Sequence, residues 1–301
     1  MNERLTPALR AALPEMTVLE QEPMAKHISF RLGGPAALMA FPRTVREMAE
    51  TFRLCREAGE EPVLLGAGTN VLAPDEGIDA PVICTRESLT GMTRLNGTDI
   101  EVYAGETLAR AAMFAREHGL SGLEFAHGIP GTVGGGVFMN AGAYGGEILQ
   151  VAAETAALYR DGTEKILSGA AQGFGYRTSA FQHEPCVVTR TVFHLTHGDR
   201  EAIRRRMQEL SERRRASQPL ELPSAGSTFK RPAGGYAAAL IDGAGLKGLA
   251  VGGAMVSPKH AGFVVNAGGA TCADVLALIA EIQKRVFENS GIRLEPEVRV
   301  L

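Results

Sequence analysis

Three short segments of the sequence carry side chains that could bind or protonate a substrate. The first is residues 176–179, Tyr-Arg-Thr-Ser, which follow Gly173 and Gly175 in a stretch without regular periodicity. The guanidinium of Arg177, if held there, could grip a carboxylate through two hydrogen bonds or stabilise negative charge on an enolate. A structural ion pair is the alternative, and spacing alone does not separate the two.

The second segment, residues 226–230, presents Ser227 directly after a glycine. A hydroxyl in such a turn could donate a proton to a ligand, or it could cap a helix. No Gly-x-Ser-x-Gly motif surrounds Ser227, and no His or Asp stands at hydrolase spacing. The pattern therefore does not indicate a hydrolase nucleophile.

The third segment, residues 295–299, carries Glu297 near the end of the sequence. Strand alternation predicts its charged residues on one face and Val298 and Val300 on the other. A carboxyl group beside an apolar face can have a raised pKa and serve as an acid. An exposed strand end is the alternative.

A glycine-rich stretch, residues 128–146, must lie near any such chemistry if it binds a cofactor. Glycine is its commonest residue, and no side chain in it carries a formal charge. A bare backbone lets amide N–H groups approach an anionic group closely. The stretch is interpreted as a loop around a phosphate-bearing cofactor; a tight packing corner is the alternative.

A second small-residue turn, residues 66–70, follows a short apolar strand at residues 62–65. Ligands of α/β sheets tend to sit at the carboxyl ends of strands. The turn lacks the third glycine of the dinucleotide fingerprint, and no helix pattern follows it, which disfavours a nicotinamide-type Rossmann fold. Arg31, beside Gly33 and Gly34, could meet a phosphate or could be a solvated edge residue.

Local signals predict the elements that position these segments. Hydroxyl N-caps predict helices that begin after Thr44, Thr107 and Thr271. Turn dipeptides predict hairpins at Asn96-Gly97 and at Asp161-Gly162.

The spacing of residues along the chain predicts two further strands and a helix. Alternating Ile28, Phe30 and Leu32 predict a short strand, and residues 260–265 predict another. Residues 199–215 predict a helix rich in arginine. Because glutamates are interspersed, a solvated, salt-bridged face is favoured over a nucleic-acid site.

Composition excludes several classes of protein. The chain has 301 residues, a net charge of −3, 45% apolar and 22% charged residues, and no tryptophan, which does not favour nucleic-acid binding. The four cysteines show no metal-ligand spacing, and no metal is expected. Without a signal peptide or a run of about 18 apolar residues, we expect a cytoplasmic protein that binds no membrane.

Taken in order, these segments resemble one family, UDP-N-acetylenolpyruvoylglucosamine reductase (MurB). The matching stretches extend from Phe30 to the last residue, Leu301: SFRLGGPA, LLGAGTNVL, GLEFAHGIPGTVGGGVFMNAGAYGGE, YRTSAF, PSAGSTFKRP, SPKHAGFVVN and LEPEVRVL. Any one of them alone would be a weak signal, and together in this order they are specific.

The resemblance implies an α+β architecture. A two-domain FAD-binding fold of the vanillyl-alcohol-oxidase (PCMH) type would occupy residues 1–75 and 76–205, and a C-terminal α/β substrate-binding domain residues 206–301. It implies noncovalent FAD, NADPH as hydride donor, and a monomer that reduces the enolpyruvyl ether of a UDP-sugar in peptidoglycan precursor synthesis. The alternatives are another FAD-dependent oxidoreductase of the same cofactor fold and a nucleotide-binding module without catalysis.

The resemblance also assigns roles to residues. Arg177 and Glu297 match residues that polarise the substrate carboxyl, and Ser227 matches the proton donor, which Lys230 or a water relay could activate. The implied cofactor-binding residues are Arg31, Gly66, Ala67, Gly68, Thr69, Asn70, Gly128, Pro130, Gly131, Thr132, Gly134, Gly135, Asn140, Ala141 and Gly142. The implied substrate-binding residues are Tyr176, Lys230, Arg231, Lys259, His260 and Asn266.

Two departures point to a subgroup of that family. The chain lacks the tyrosine-bearing loop that one subgroup inserts after the position of Tyr176, and it has Arg231 where that subgroup has asparagine. Both features resemble the subgroup without the loop, so the residues that contact the substrate diphosphate are candidates only.

Overall fold

Residues 4–301 are described by a computed structural model, in which the chain divides into two units built from interleaved segments. The first unit takes in the described residues up to 20, residues 38–67 and residues 79–213. The second takes in residues 21–37, 68–78 and 214–301. The predicted boundary between residues 205 and 206 falls inside a long helix, Arg200–Ser217. The three-domain division stays a prediction.

Short strands outnumber helices in the described part of the chain. The helices are α1 (Leu5–Ala12), α2 (Val45–Glu57), α3 (Leu108–Glu117), α4 (Val133–Phe138), α5 (Arg200–Ser217), α6 (Ala237–Gly243) and α7 (Cys272–Ser290). The strands are β1 (Thr17–Pro23), β2 (Pro35–Phe41), β3 (Val63–Leu65), β4 (Val71–Leu72), β5 (Val82–Cys84), β6 (Met92–Arg94), β7 (Asp99–Tyr103), β8 (Leu120–Ser121), β9 (Gly142–Ala143), β10 (Gly146–Glu147), β11 (Ala152–Tyr159), β12 (Glu164–Ser168), β13 (Cys186–His194), β14 (Thr196–His197), β15 (Ala250–Val251), β16 (Ala254–Val256), β17 (Val264–Asn266) and β18 (Arg299–Val300).

The largest sheet of the first unit is antiparallel, with strand order β12-β11-β13-β7-β6. Both predicted hairpins are confirmed, because β6 pairs with β7 around Asn96-Gly97 and β11 pairs with β12 around Asp161-Gly162. In a smaller sheet, β5 lies between β2 and β3 and is parallel to both. Leu65 pairs with Cys84 at the end of β3, so the turn that begins at Gly66 leaves the carboxyl end of that strand.

The predicted helix starts of the first unit are confirmed. The hydroxyl of Thr44 accepts a hydrogen bond from the amide N–H of Glu47 over 3.0 Å, and that of Thr107 accepts from Arg110 over 3.1 Å. These bonds satisfy amide groups that have no partner within the helix. The apolar face of α3 packs into the core beneath the large sheet, where Leu108 is fully buried.

The glycine-rich stretch contains a helix, α4, that the sequence analysis missed. A Cβ atom added to Gly134 would lie 2.8 Å from the Cβ of Ala104, and one added to Gly136 would lie 3.1 Å from the side chain of Leu108. Those glycines let α4 approach its neighbours more closely than any side chain would permit. The packing-corner alternative therefore applies to this part of the stretch.

The second unit contains an antiparallel sheet, β15-β16-β17, and the long helix α7. The predicted cap of α7 is confirmed as a reciprocal capping box between Thr271 and Asp274, and the helix stops at Gly291 with φ of +70°. The last strand, β18, pairs in parallel with β4, and Arg299 lies opposite Val71.

Two strand predictions in the second unit are wrong in part. Ile28, Phe30 and Leu32 are buried, but their backbone follows turns in which the amide of Ile28 donates to Met24 and that of Arg31 donates to Ile28. Alternating burial was a correct inference; extended backbone was not.

The second wrong prediction concerns residues 260–265. Residues 260–263 form a turn closed by a 3.0 Å bond from the amide of Phe263 to the carbonyl of His260, and β17 starts only at Val264. The expected apolar face of the last strand holds for Val298, which is 8% exposed, but fails for Val300, which is 52% exposed. β18 pairs with β4 alone in a two-stranded ladder.

Helix α5 has the ion-paired surface that its sequence predicts. Arg204 pairs with Glu201 over 2.8 Å, and Arg206 pairs with Glu209 over 2.7 Å, on exposed positions. No helix among residues 4–301 combines the length and the apolar character needed to cross a bilayer.

Candidate active site

Arg177 lies at the tip of a tight turn in the first unit. Gly175 and Thr178 exchange two backbone hydrogen bonds across the turn, of 3.1 and 3.3 Å. Arg177 has φ of +55°, a conformation that non-glycine residues rarely adopt and that persists only where the surroundings enforce it. The side chain is half-buried, and its position is thus set by the structure around it.

The glycine-rich stretch holds the guanidinium of Arg177 in place. Its two terminal nitrogens donate to the carbonyl oxygens of Asn140 and Gly142, over 3.4 and 3.3 Å. The side-chain Nε2 of Gln182 donates to the carbonyl oxygen of Arg177 over 3.0 Å. The bonds to Asn140 and Gly142 fix the guanidinium of Arg177 against the backbone of the glycine-rich stretch.

Asn140 organises this arrangement from a buried position. Its side chain is 1% exposed, and its Nδ2 donates to the carbonyl of Gly175 over 2.9 Å. Its Oδ1 accepts from the amide N–H of Leu149 over 2.9 Å. Asn140 therefore ties the glycine-rich stretch to the turn that carries Arg177. The sequence analysis expected Asn140 to bind the cofactor and missed both this tie and the role of Gln182.

Gly66 and Thr132 lie together in the first unit. A Cβ atom on Gly66 would come within 2.6 Å of the Thr132 hydroxyl oxygen. The amide N–H groups of Gly66, Ala67, Gly131 and Thr132 donate to no atom of residues 4–301. Amides without a partner, beside a glycine that has no room for a side chain, fit a phosphate or pyrophosphate.

The rest of the small-residue turn, Gly68 to Asn70, belongs to the second unit and is rigidly packed there. A Cβ on Gly68, which has φ of +62°, would lie 2.2 Å from the carbonyl of His27. The amide of Ser29 donates to the carbonyl of Gly68 over 2.9 Å, and its hydroxyl donates to Ser224 over 2.5 Å. No local pattern marked Ser29 in the sequence.

Ser227 and Glu297 come together in the second unit, on neighbouring extended segments. The amide of Glu297 donates to the carbonyl of Thr228 over 2.8 Å, and Phe229 pairs with Pro296. Ser227 is exposed and Glu297 is half-buried. The helix-cap alternative for Ser227 does not hold, because no helix begins there.

The other candidate binding residues of the second unit are already engaged. The ammonium of Lys230 contacts Glu295 at 2.5 Å, so it is paired with a carboxylate. The guanidinium of Arg231 stacks over the ring of Tyr236 at 4.3 Å. The ammonium of Lys259 donates to the carbonyl of Arg215 over 2.8 Å.

His260 and Asn266 are held by backbone groups. Nδ1 of His260 accepts from the amide of Gly262 over 3.1 Å, and burial, with Lys247 nearby, lowers the pKa of its ring. Nδ2 of Asn266 donates to the carbonyl of Phe30, and its oxygen accepts two further amides. Asn266 thus has a structural role. Of the remaining candidates, Arg31 is exposed in the second unit, and Tyr176 contacts the guanidinium of its neighbour Arg177.

Comparisons with known proteins identify the family of the chain. A family model described as FAD binding domain matches residues 36–168, and one described as UDP-N-acetylenolpyruvoylglucosamine reductase, C-terminal domain, matches residues 218–301. The chain is 44% identical over 301 residues to the UDP-N-acetylenolpyruvoylglucosamine reductase of Caldanaerobacter subterraneus, covering 100% of this chain and 99% of that one. It is 42% identical over 293 residues to that of Limosilactobacillus fermentum, covering 97% of each.

Solved structures support the same fold. The crystal structure of the reductase from Thermus caldophilus superposes with a TM-score of 0.79 at 36% identity, over 95% of this chain and 98% of that chain. An alkyldihydroxyacetonephosphate synthase superposes with a TM-score of 0.50 at 14% identity, over 65% of this chain and 41% of that chain, which bears on the fold alone. The predicted FAD-binding fold class is confirmed, and the chain belongs to the UDP-N-acetylenolpyruvoylglucosamine reductase family.

Proposed function

We propose that the chain reduces the enolpyruvyl ether of UDP-N-acetylglucosamine enolpyruvate to UDP-N-acetylmuramate, with FAD as cofactor and NADPH as hydride donor. The observation that carries the proposal is the 44% identity that extends over all 301 residues, at 99% coverage of a reductase. A match of that extent includes every segment that bears a candidate catalytic residue. We further propose a monomeric, cytoplasmic enzyme, since a UDP-sugar is a cytoplasmic metabolite.

The residues that would hold FAD follow from the unpartnered amides. Gly66 and Ala67, with Gly131 and Thr132, offer N–H groups to the pyrophosphate. FAD held there would supply the hydride-transfer chemistry between NADPH and the substrate. The chain itself binds, orients and protonates.

Arg177 would stabilise the negative charge that hydride addition moves onto the substrate carboxylate. Its guanidinium is fixed by two backbone carbonyls before substrate arrives, so little reorganisation is needed as the charge develops. Glu297 would hydrogen-bond the carboxyl group of the substrate. Its carboxyl group would have to be protonated or hydrogen-bonded to do so, because a bare second carboxylate would repel the substrate.

Ser227 would donate the proton that completes the reduction at the neighbouring carbon. Its hydroxyl is exposed on the segment adjacent to Glu297. Because Lys230 is paired with Glu295, we assign the activation of Ser227 to ordered water rather than to that ammonium. For the UDP moiety we propose Tyr176, Arg231, Lys259 and His260 as contacts.

The test is a two-step kinetic experiment on the purified protein. A visible absorption spectrum should show bound flavin, NADPH should bleach it under anaerobic conditions, and the enolpyruvyl UDP-sugar should restore it. The product should carry two more hydrogens than the substrate by mass spectrometry. Bleaching of the oxidised flavin by sugar acids or phenols, with no restoration of the NADPH-bleached spectrum by the enolpyruvyl UDP-sugar, would assign the chain to another flavin oxidoreductase. A colourless protein that takes up no FAD would exclude both.

A further inference from the structure

We infer that Asn70 is a positioning residue that sets the backbone of Glu297, and this rests on the function proposed above. Nδ2 of Asn70 donates to the carbonyl oxygen of Glu297 over 3.1 Å. The carbonyl oxygen of Asn70 accepts from the amide of Arg299 over 3.1 Å. Asn70 thus holds the last strand on both sides of Val298, with its side chain on one side and its backbone on the other.

The peptide groups of Glu297 are held from two directions. Its amide N–H donates to Thr228, the neighbour of Ser227, over 2.8 Å, while its carbonyl accepts from Asn70 over 3.1 Å. The backbone dihedral angles of a residue determine the directions that its side chain can take. Because both peptide groups are held, the positions open to the carboxyl group of Glu297 are restricted relative to the segment that carries Ser227.

The side-chain bond from Asn70 to Glu297 lies outside the β4–β18 ladder. That ladder pairs Arg299 with Val71 and Val300 with Leu72 and sets the register of the strand by itself. The side chain of Asn70 extends this control to Glu297, beyond the ladder. The position of the Glu297 carboxyl group should matter for the reaction, because it must hydrogen-bond the substrate carboxyl group. Misplacement of a catalytic group by about 1 Å can cost on the order of a hundredfold in rate.

The turn that precedes Asn70 is closely packed and hydrogen-bonded. It follows the turn at Gly68, which is packed against the backbone of His27 and bonded to Ser29. Ser29 in turn donates to the carbonyl of Ser224 over 2.5 Å, on the segment that leads to Ser227. The same turn thus anchors both segments that carry the proposed acid groups of the second unit.

The test compares Asn70→Ala with Glu297→Gln and with the double variant. Because the resemblance also places Asn70 in the turn expected to bind FAD, all variants are assayed at saturating FAD, and the rate of reoxidation is compared with the rate of reduction by NADPH in the same variant. Reoxidation of Asn70→Ala by the enolpyruvyl UDP-sugar should slow by about 10- to 100-fold. The double variant should be no slower than Glu297→Gln alone, because both changes disable one group.

Asp75→Ala is the matched control. Asp75 lies on the same segment and accepts from the amides of Cys272 and Ala273 at the start of α7, over 2.7 and 3.0 Å. The control should lower the melting temperature and leave both half-reactions at wild-type rates. If Asn70→Ala does not fold, Asn70→Asp keeps the shape of the side chain, removes the donor and takes its place in every comparison.

Three results would overturn the inference: loss of FAD from the Asn70 variant, a wild-type rate of reoxidation, or losses that multiply in the double variant. The first would make Asn70 a cofactor ligand, and the third would make its effect independent of Glu297. If the reduced wild-type protein cannot be reoxidised by the enolpyruvyl UDP-sugar, that result would instead contradict the proposed function.

Discussion

The guanidinium of Arg177 lies 3.4 Å from the carbonyl oxygen of Asn140, so a buried amide residue and the proposed electrostatic catalyst share one hydrogen-bonded unit. The same asparagine donates to Gly175, on the other side of the Arg177 turn. A guanidinium bonded to backbone carbonyls, on a turn where Arg177 has φ of +55°, is positioned before any ligand arrives.

Asn140→Ala should therefore reduce both stability and the second half-reaction. Removing a side chain that is 1% exposed leaves the amide of Leu149 without its partner and takes one of two donors from the carbonyl of Gly175, which should cost about 2–3 kcal/mol of unfolding free energy. Chemical denaturation measures this loss. Gln208→Ala, which removes an exposed amide on α5, should change the unfolding free energy by less than about 0.5 kcal/mol. Equal losses in the two variants would contradict the tie between Asn140 and the Arg177 turn.

Ser227→Ala should separate the two half-reactions. Its hydroxyl is exposed, so the variant should fold and accept hydride from NADPH normally. Reoxidation by substrate should slow by about 10²- to 10⁴-fold, the range expected when a proton donor is removed. Stopped-flow absorbance follows each step, and Ser227→Cys, which restores an acidic proton, should recover part of the rate. Normal reoxidation in Ser227→Ala would exclude the proton-donor role.

Arg177→Lys should not replace arginine in the second half-reaction. The planar guanidinium bonds to two backbone carbonyls at once, and an ammonium cannot reproduce that geometry. We expect reoxidation to slow by about tenfold or more in Arg177→Lys and further in Arg177→Ala. Stopped-flow rates of reoxidation by substrate, measured for both variants, check this order. Equal rates in wild type and Arg177→Lys would show that only net charge matters at this position.

Substitution by alanine at two glycines of α4 should affect the free energy of unfolding differently. A Cβ on Gly134 would meet the Cβ of Ala104 at 2.8 Å, so Gly134→Ala should destabilise the protein without cofactor by about 1–3 kcal/mol. A Cβ on Gly135 would have the Thr132 hydroxyl at 3.4 Å as its nearest neighbour, so Gly135→Ala should be neutral or slightly stabilising. If Gly135 borders the cofactor as proposed, that variant should lose FAD affinity while remaining stable. Unchanged FAD affinity would remove Gly135 from the cofactor site.

His260 should make stability depend on pH. Burial lowers the pKa of its ring in the folded protein, so the unfolded chain binds the proton more readily. Its contribution to stability is complete above the ordinary histidine pKa of about 6.5 and declines as pH falls below it. Burial also lowers the pKa of His127, with Arg116 nearby, which adds to the same decline. Denaturation of His260→Gln between pH 7 and 5 should show a shallower loss than wild type, and an equally steep loss would contradict the assignment.

The sequence determined the elements whose signals act over a few residues. The hydroxyls of Thr44, Thr107 and Thr271 each bond to an amide three residues further on, and Asn96-Gly97 forms the turn of a hairpin. These contacts depend on the chain on either side of them and little else, so composition and spacing predict them. The family resemblance likewise identified Arg177, Ser227 and Glu297, because short motifs carry those residues.

Only the tertiary structure decided the contacts between distant segments. Asn70 bonds to a residue 227 positions away, and Ser29 to one 195 positions away. Ile28, Phe30 and Leu32 have the spacing of a strand and are buried, yet tertiary packing holds them in turns. The sequence pattern predicted a loop at the glycines of α4. Their reason for being glycine is close packing against residues such as Ala104, which are remote in sequence. Such contacts form only after long loops have closed and side chains have packed, and no local pattern of residues encodes which distant groups will then meet.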